Sequence, residues 1–463
     1  MRDGTNVRPE RTPPERTRDA SPDTSSHPNV LFVSVGPFSA TSNNGKTFAS
    51  FFEGYPEGRV AQLYFHREIP SSDVSRRYYR FTDGQLLRSL LPFHRFDGER
   101  VTAESIDERG VAVEVSNPLR SRMAIRALRS QLWGRLNLLR GPFAKWLDEF
   151  KPDMIFFCGG NANHLYRPVM DLARARDIPI VYYITDDYVL RRFTLNPFVA
   201  GYRSQTRRLF KKCARTSALV LTIGEEMQDR YRSVFGIESQ VIMNSVDVIA
   251  SGGEPARADH GRGTSPLTLS YLGGLHSGRD EILATIAQTI AVDDRLRSRI
   301  QLNIYTQAAY PESLLQLSHK HPEVLRLNPP VTADEVQEIQ NASDLLLHVE
   351  SFSKKNRQIT ELSVSTKIPE YLASCTPVVA VGPGSVASIR YLQRHGVATV
   401  VSRLVGTQLA DTLHELIENP EQTTRKTELG LQLARERHHA GTNRSALWKA
   451  LDKIHDARST RRG

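Results

Sequence analysis

Ser365-Thr366-Lys367-Ile368-Pro369-Glu370-Tyr371-Leu372, followed by Ala373-Ser374-Cys375-Thr376-Pro377-Val378-Val379-Ala380, is the stretch on which the reading of this 463-residue chain turns. Ile368, Tyr371 and Leu372 fall at helical spacing, and residues 377–381 form a short apolar run closed by Gly382-Pro383-Gly384, so the segment predicts helix, tight turn and buried strand. Pro369 then sits in the first helical turn, where a missing N–H costs little because those groups have no intrahelical partner. The remaining first-turn N–H groups of Ser365, Thr366 and Lys367, with the helix dipole and the Lys367 charge, predict an anion site. Glu370 lies opposite the apolar stripe and is predicted to face a cleft. A capping box is the plainer reading of Glu370, but the residue three positions earlier is Lys367, which cannot cap.

Outward from this point the pattern repeats. Strands are predicted at 267–272, 300–305, 324–327, 343–349 and 397–401, separated by helices at 280–291, 313–319, a capped helix opening at Thr332, and 385–394. Upstream, a strand at 29–35 runs through Gly36 and a polar loop into a helix at 45–52, the opening of a Rossmann-like unit. Strands at 59–66, 153–158, 178–185, 217–223 and 240–243 alternate with helices at 163–176, 202–215 and 225–235. Alternation at this pace predicts two α/β domains with parallel sheets covered on both faces. The expected division is a disordered tail over 1–27, an N-terminal domain over 28–250, a linker over 251–266 without apolar periodicity, a C-terminal domain over 267–440, and a C-terminal helix with a basic tail over 441–463. Residues 68–110 lack strong periodicity and read as an insertion over a binding face.

Composition narrows the classes. The net charge is +10, with a pI near 9.5, which implies an anionic partner: nucleotide sugar, acidic membrane surface or nucleic acid. No apolar run approaches the roughly 20 residues of a membrane span, and the N-terminus is not signal-like. Cys158, Cys213 and Cys375 stand too far apart for a disulfide framework or zinc site. A cytoplasmic protein is expected. Between residues 123 and 147, Arg126, Arg129, Arg135, Arg140 and Lys145 alternate with leucines, Phe143 and two tryptophans, which reads as a cationic helix packed on its domain or, alternatively, laid on an anionic membrane.

Two such domains place the carboxyl ends of their strands around a cleft, where ligands bind. Gathered there are Gly36 with Asn44, Gly45 and Lys46, then Asp186-Asp187, Gly273-Gly274 with Arg279, Glu350, and Lys367 with Glu370. In this arrangement the chain resembles the GT-B glycosyltransferases, specifically the retaining, glycogen-synthase-like group. Asn244-Ser245-Val246-Asp247 is similar to that family's Asn-Gly-Val-Asp junction, and Tyr271-Leu272-Gly273-Gly274-Leu275 to its strand and Gly-Arg-Leu loop without the arginine. Arg279 falls where the family has lysine. Glu350-Ser351-Phe352 resembles the opening of the acidic signature, and Glu370 its second glutamate, at a longer spacing than the commonest form.

The resemblance implies a nucleotide-diphosphate sugar donor, a polysaccharide or lipid-linked acceptor in the cell envelope, and no cofactor or metal. It casts Lys367, Arg279 and the N–H groups of residues 365–367 on the diphosphate, with Glu370 on the ribose diol and Glu350 on donor sugar or acceptor. Asp186 would contact donor sugar or acceptor in place of the family's His-Asp. Nucleic acid is not expected. The absence of Asp-x-Asp removes the usual ligand pair of a metal-clamped transferase. Two other readings stand: a non-catalytic relative of the same fold, and a phosphate-loop nucleotidase or kinase using Ala40-x-x-x-x-Gly45-Lys46-Thr47.

Overall fold

The computed structural model describes residues 27–40, 43–101, 129–190, 194–248, 266–358, 360–404 and 407–462. Two sheets organise them. The first runs β1 (Val30–Ser34), β2 (Val60–Tyr64), β3 (Arg77–Arg80), β4 (Glu99–Val101), β5 (Met154–Cys158), β6 (Ile180–Ile184), β7 (Leu219–Thr222) and β8 (Gln240–Val241) in the order β4-β3-β2-β1-β5-β6-β7-β8. Every pairing is parallel except β3 with β4. The second comprises β9 (Leu267–Leu272), β10 (Ile300–Tyr305), β11 (Leu325–Asn328), β12 (Leu345–Val349), β13 (Val378–Val381) and β14 (Thr399–Val401), ordered β11-β10-β9-β12-β13-β14 and wholly parallel. That is the doubly wound order, which reverses at β9. The strands are buried on both faces, as the near-continuous apolar runs require: VLFVS in β1, MIFFC in β5 and VVAV in β13.

Two expectations change. Residues 68–101 are not an insertion, because they carry β3 and β4 into the first sheet; Tyr78 and Tyr79 are buried there, and only residues 102–110 lie outside the described part. Irregular charge along this stretch hides strands too short to show a period. The segment around 123–147 is not one amphipathic helix. Its described part breaks into a short turn at Trp133–Arg135 and a helix at Gly141–Phe150, with Trp133, Leu136, Leu138, Phe143, Trp146 and Leu147 all in the core. The packed reading holds, and those apolar side chains are not available to a membrane.

The two halves are joined twice. Val246 N–H donates to the His438 carbonyl and Ala440 N–H to the Val246 carbonyl, at 2.9 and 3.1 Å, so the outgoing and returning chains run side by side. The returning chain becomes the helix Ala440–Arg462, which packs on the first domain: Leu447 and Leu451 join the core of Val30 and Phe32, and Trp448 Nε1 donates to the Phe51 carbonyl at 2.8 Å. Arg458, expected in a basic tail, donates to the Asp153 carbonyl and to Asp177.

Buried neutral histidines tie this framework to pH. His438 accepts from Tyr391 and donates to the Asn244 carbonyl at 2.8 Å, and burial first of all lowers its pKa to about 4. His164, beside Trp133, is lowered to about 3 by burial and then by Arg129. Both folded pKa values lie below the unfolded one, so the unfolded chain binds more protons in acid. Stability is therefore full above about pH 6.5 and declines as pH falls, by about 2 kcal/mol per imidazole between about pH 7 and about pH 5. Urea unfolding at the two pH values checks this. His438→Gln should flatten the dependence, and an unchanged slope would contradict the assignment.

Candidate active site

Each sheet reverses its strand order beside a strand whose carboxyl end opens into the cleft. After β1 the buried Gln62 of β2 fixes the turn, accepting from Phe38 N–H at 2.8 Å and donating to the Gly36 carbonyl at 3.2 Å. Gly36 itself faces open space. After β9, Gly273 N–H donates to the Tyr305 carbonyl, and the Tyr271 hydroxyl donates to the Gly274 carbonyl at 2.7 Å, locking the turn. Glycine at 273 leaves room for the end of Lys367, whose Nζ occupies the place a Cβ there would take. The turn closes at Gly278, with φ +76, before the helix Arg279–Val292.

Charges converge over this turn. Lys367 is only partly exposed; desolvation of its ammonium, then repulsion from Arg279, brings its pKa down to about 8. Its Nζ stands 5.4 Å from the centre of the Tyr271 ring. Arg279 donates through Nε to the Val349 carbonyl at 3.1 Å and approaches Glu350 at 3.4 Å. Glu350 is buried; burial alone would raise its carboxyl, but His348, 3.4 Å away, and Arg279 outweigh it and hold its pKa below the usual carboxylate range. His276 stacks against Gly274, with its pKa depressed by burial and then by Arg279 and Lys367.

Contacts from the first domain complete the cleft. Lys46 reaches across to Glu370 at 2.7 Å. Ser363 donates to the Thr185 carbonyl at 2.8 Å and lies 3.2 Å from Asp186. Burial pushes the Asp186 carboxyl up, against hydrogen bonds from Tyr188 and Ser363. Its neighbour Asp187 is structural, accepting from the Val189 and Leu190 N–H groups and from Tyr231.

No family model and no curated protein sequence matches this chain. Its structure is nevertheless similar to several solved ones. HepE of Anabaena, in complex with UDP and glucose, matches at a TM-score of 0.59 and 14% identity over 92% of this chain and 100% of that one. The α,α-trehalose 6-phosphate synthase of Burkholderia multivorans gives 0.60 and 11%, over 94% and 99%. WaaG, a glycosyltransferase involved in lipopolysaccharide biosynthesis, gives 0.55 and 13%, over 92% and 99%. The chain has the GT-B fold.

The GT-B cleft brings together Gly273, Gly274, Arg279, Glu350, Lys367 and Glu370 from the second domain and Lys46 and Asp186 from the first. One expectation fails in detail. The Ser365 N–H does not face a ligand but donates to Ser388 Oγ at 3.0 Å, and the Lys367 N–H lies 3.5 Å from Ser365 Oγ. The phosphate-loop reading also loses its geometry. The helix begins at Asn43, so Gly45, Lys46 and Thr47 lie inside it, where Lys46 points to Glu370 and Thr47 donates to Asn244 at 3.3 Å. The sequence reading missed His276, Ser363 and His348. His276 stands two positions past Gly274 and its ring fills the place of a Cβ there, but no motif in the sequence marks it.

Proposed function

We propose that this chain transfers a sugar from a nucleoside-diphosphate donor to a polysaccharide or lipid-linked acceptor of the cell envelope, with retention, without a metal, and at the inner face of a membrane. The observation that carries this reading is the convergence of Lys367 and Arg279 over the Gly273-Gly274 turn, with Glu370 at the start of the next helix. Breaking a sugar–phosphate bond builds charge on the leaving diphosphate, and preorganised cations in a partly dry cleft stabilise that charge more in the transition state than in the ground state. Two cations there supply what a metal supplies elsewhere. Glu370 accepts the two ribose hydroxyls, since a carboxylate accepts both bonds a diol donates. Glu350, fixed as an anion by Arg279, orients donor sugar or acceptor. Asp186 faces the same substrate from across the cleft.

The neighbours support a uridine nucleotide as the first donor to try, because HepE was solved with UDP and glucose and with UDP-glucose. A thermal-shift panel of nucleoside diphosphates and nucleotide sugars tests the proposal, because a ligand at 100 times its Kd stabilises the fold by about 2.7 kcal/mol. Donor hydrolysis with and without chelator tests the metal. No stabilisation by any nucleotide sugar would sink the reading.

Lys46 gives a separate prediction. Ribose must displace it from Glu370, and a pair this exposed, 55% and 27% open at its two side chains, contributes only about 0.2–1 kcal/mol. Lys46→Ala should therefore leave nucleoside diphosphate affinity within about fivefold of wild type, on the tighter side. Calorimetric titration decides, and a collapse of affinity would restore the triphosphatase reading.

A further inference from the structure

Between β3 and β4 the chain makes a finger over residues 83–97 whose base is packed and whose tip is exposed. Its exposed tip carries Leu87, Leu90, Leu91 and Phe93, with 58%, 43%, 57% and 106% of their surfaces open. Arg88, His94 and Arg95 are exposed among them, and no carboxylate occurs from residue 84 to residue 96. Beside its base, where Gly141 closes on Asp97, the exposed Leu139 and Arg140 add one more apolar and one more basic side chain.

The finger is rooted in the core. Leu86 is buried, the Phe96 ring packs on Phe81 and Trp133, and Asp83 accepts from Trp133 Nε1 at 2.9 Å and from Arg129. A Thr82 capping box fixes the short helix Asp83–Arg88, and backbone hydrogen bonds continue through Leu91. At the tip Phe93 holds φ +67, a left-handed conformation unfavourable for a residue with a Cβ, and its ring gains no burial in return. A strained, open aromatic flanked by arginines is what a surface looks like when its burial comes from elsewhere.

We propose that this finger docks the first domain on an anionic lipid bilayer, with Leu87, Leu90, Leu91 and Phe93 entering the acyl boundary and Arg88, Arg95 and Arg140 meeting the headgroups. Apolar side chains ringed by cations without carboxylates match that interface, where hydrocarbon lies directly beneath negative charge. The finger follows the carboxyl end of β3, on the same sheet edge as the Gly36 turn after β1, so docking brings the mouth of the cleft to the membrane. This rests on the membrane-side part of the proposed function and gives it a surface. Of the 123–147 stretch only Leu139 and Arg140 border this surface, since Trp133, Leu136, Leu138, Phe143, Trp146 and Leu147 are buried.

The test is co-sedimentation of the full chain with vesicles of phosphatidylcholine alone and with roughly one-third phosphatidylglycerol. Wild type should bind the anionic vesicles, and Leu91→Ser with Phe93→Ser should cut partitioning at least about tenfold, as should Arg88→Gln with Arg95→Gln. Phe93→Trp should shift its emission to the blue on anionic vesicles only. Leu195→Ser with Phe198→Ser, an exposed apolar pair outside the finger, is the control. No vesicle binding, or loss in that control with the finger variants unaffected, would overturn the proposal. So would a wild-type dimer in sedimentation velocity that the finger variants abolish, since a second copy would then cover the patch. Nucleotide stabilisation is measured on the same samples: its absence counts against the proposed function, whereas its persistence without lipid binding counts against the finger alone.

Discussion

Lys367→Ala should lower turnover about a hundredfold with only a modest loss of donor binding, because removing one preorganised charge-stabilising donor costs on the order of 3 kcal/mol in the transition state. The structure sharpens this beyond a simple loss of rate. Desolvation and Arg279 leave the free ammonium with a pKa of about 8, so kcat/KM should fall as pH rises through that value and the charge is lost. A bound diphosphate favours the charged form, so the corresponding limb in kcat should lie at higher pH. Lys367→Arg, charged at every accessible pH, should lose the limb while keeping part of the rate. Steady-state kinetics on both variants test the assignment, and full turnover in a folded alanine variant would remove Lys367 from the mechanism.

Arg279→Ala should be the more damaging change to the fold. Glu350 is almost wholly buried and held as an anion by Arg279 and His348, so deleting the guanidinium leaves a charge with half its support inside the protein. Breaking a buried pair from one side typically costs about 3–5 kcal/mol, whereas replacing both partners with uncharged residues is far milder. Urea unfolding of Arg279→Ala, Glu350→Gln and the double variant forms the cycle. The double variant should be more stable than Arg279→Ala; strictly additive losses would show that the two groups do not interact.

The strands were legible because both faces of each sheet are covered, which makes β1, β5 and β13 read as near-continuous apolar runs. β3 and β4 were not, because RYYR and ERV at a sheet edge look like loop. In the site, Lys367 and Glu370 were legible from the helix start at Pro369, and Arg279 and Glu350 from the resemblance to the GT-B glycosyltransferases. Ser363, His348 and His276 were not: Ser363 meets Asp186 only on folding, and His348 and His276 lie two residues from Glu350 and Gly274 in no pattern that marks them. At 123–147 the packed reading holds, with Trp133 and Trp146 in the core of the first domain, and only the continuity of the helix was misread.

The helix Ala440–Arg462 closes the core of a domain whose first strand precedes it by about 400 residues. During synthesis Val30, Phe32 and Phe51 leave the ribosome about 400 residues before Leu447, Trp448 and Leu451 can reach them, a delay of roughly 20–80 s at ordinary elongation rates. The second domain, whose own core needs nothing beyond residue 434, is complete before that moment. The first domain is therefore the last to finish, and a chain that stops short of residue 440 is expected to hold a folded C-terminal half attached to an N-terminal half with its aromatic core open.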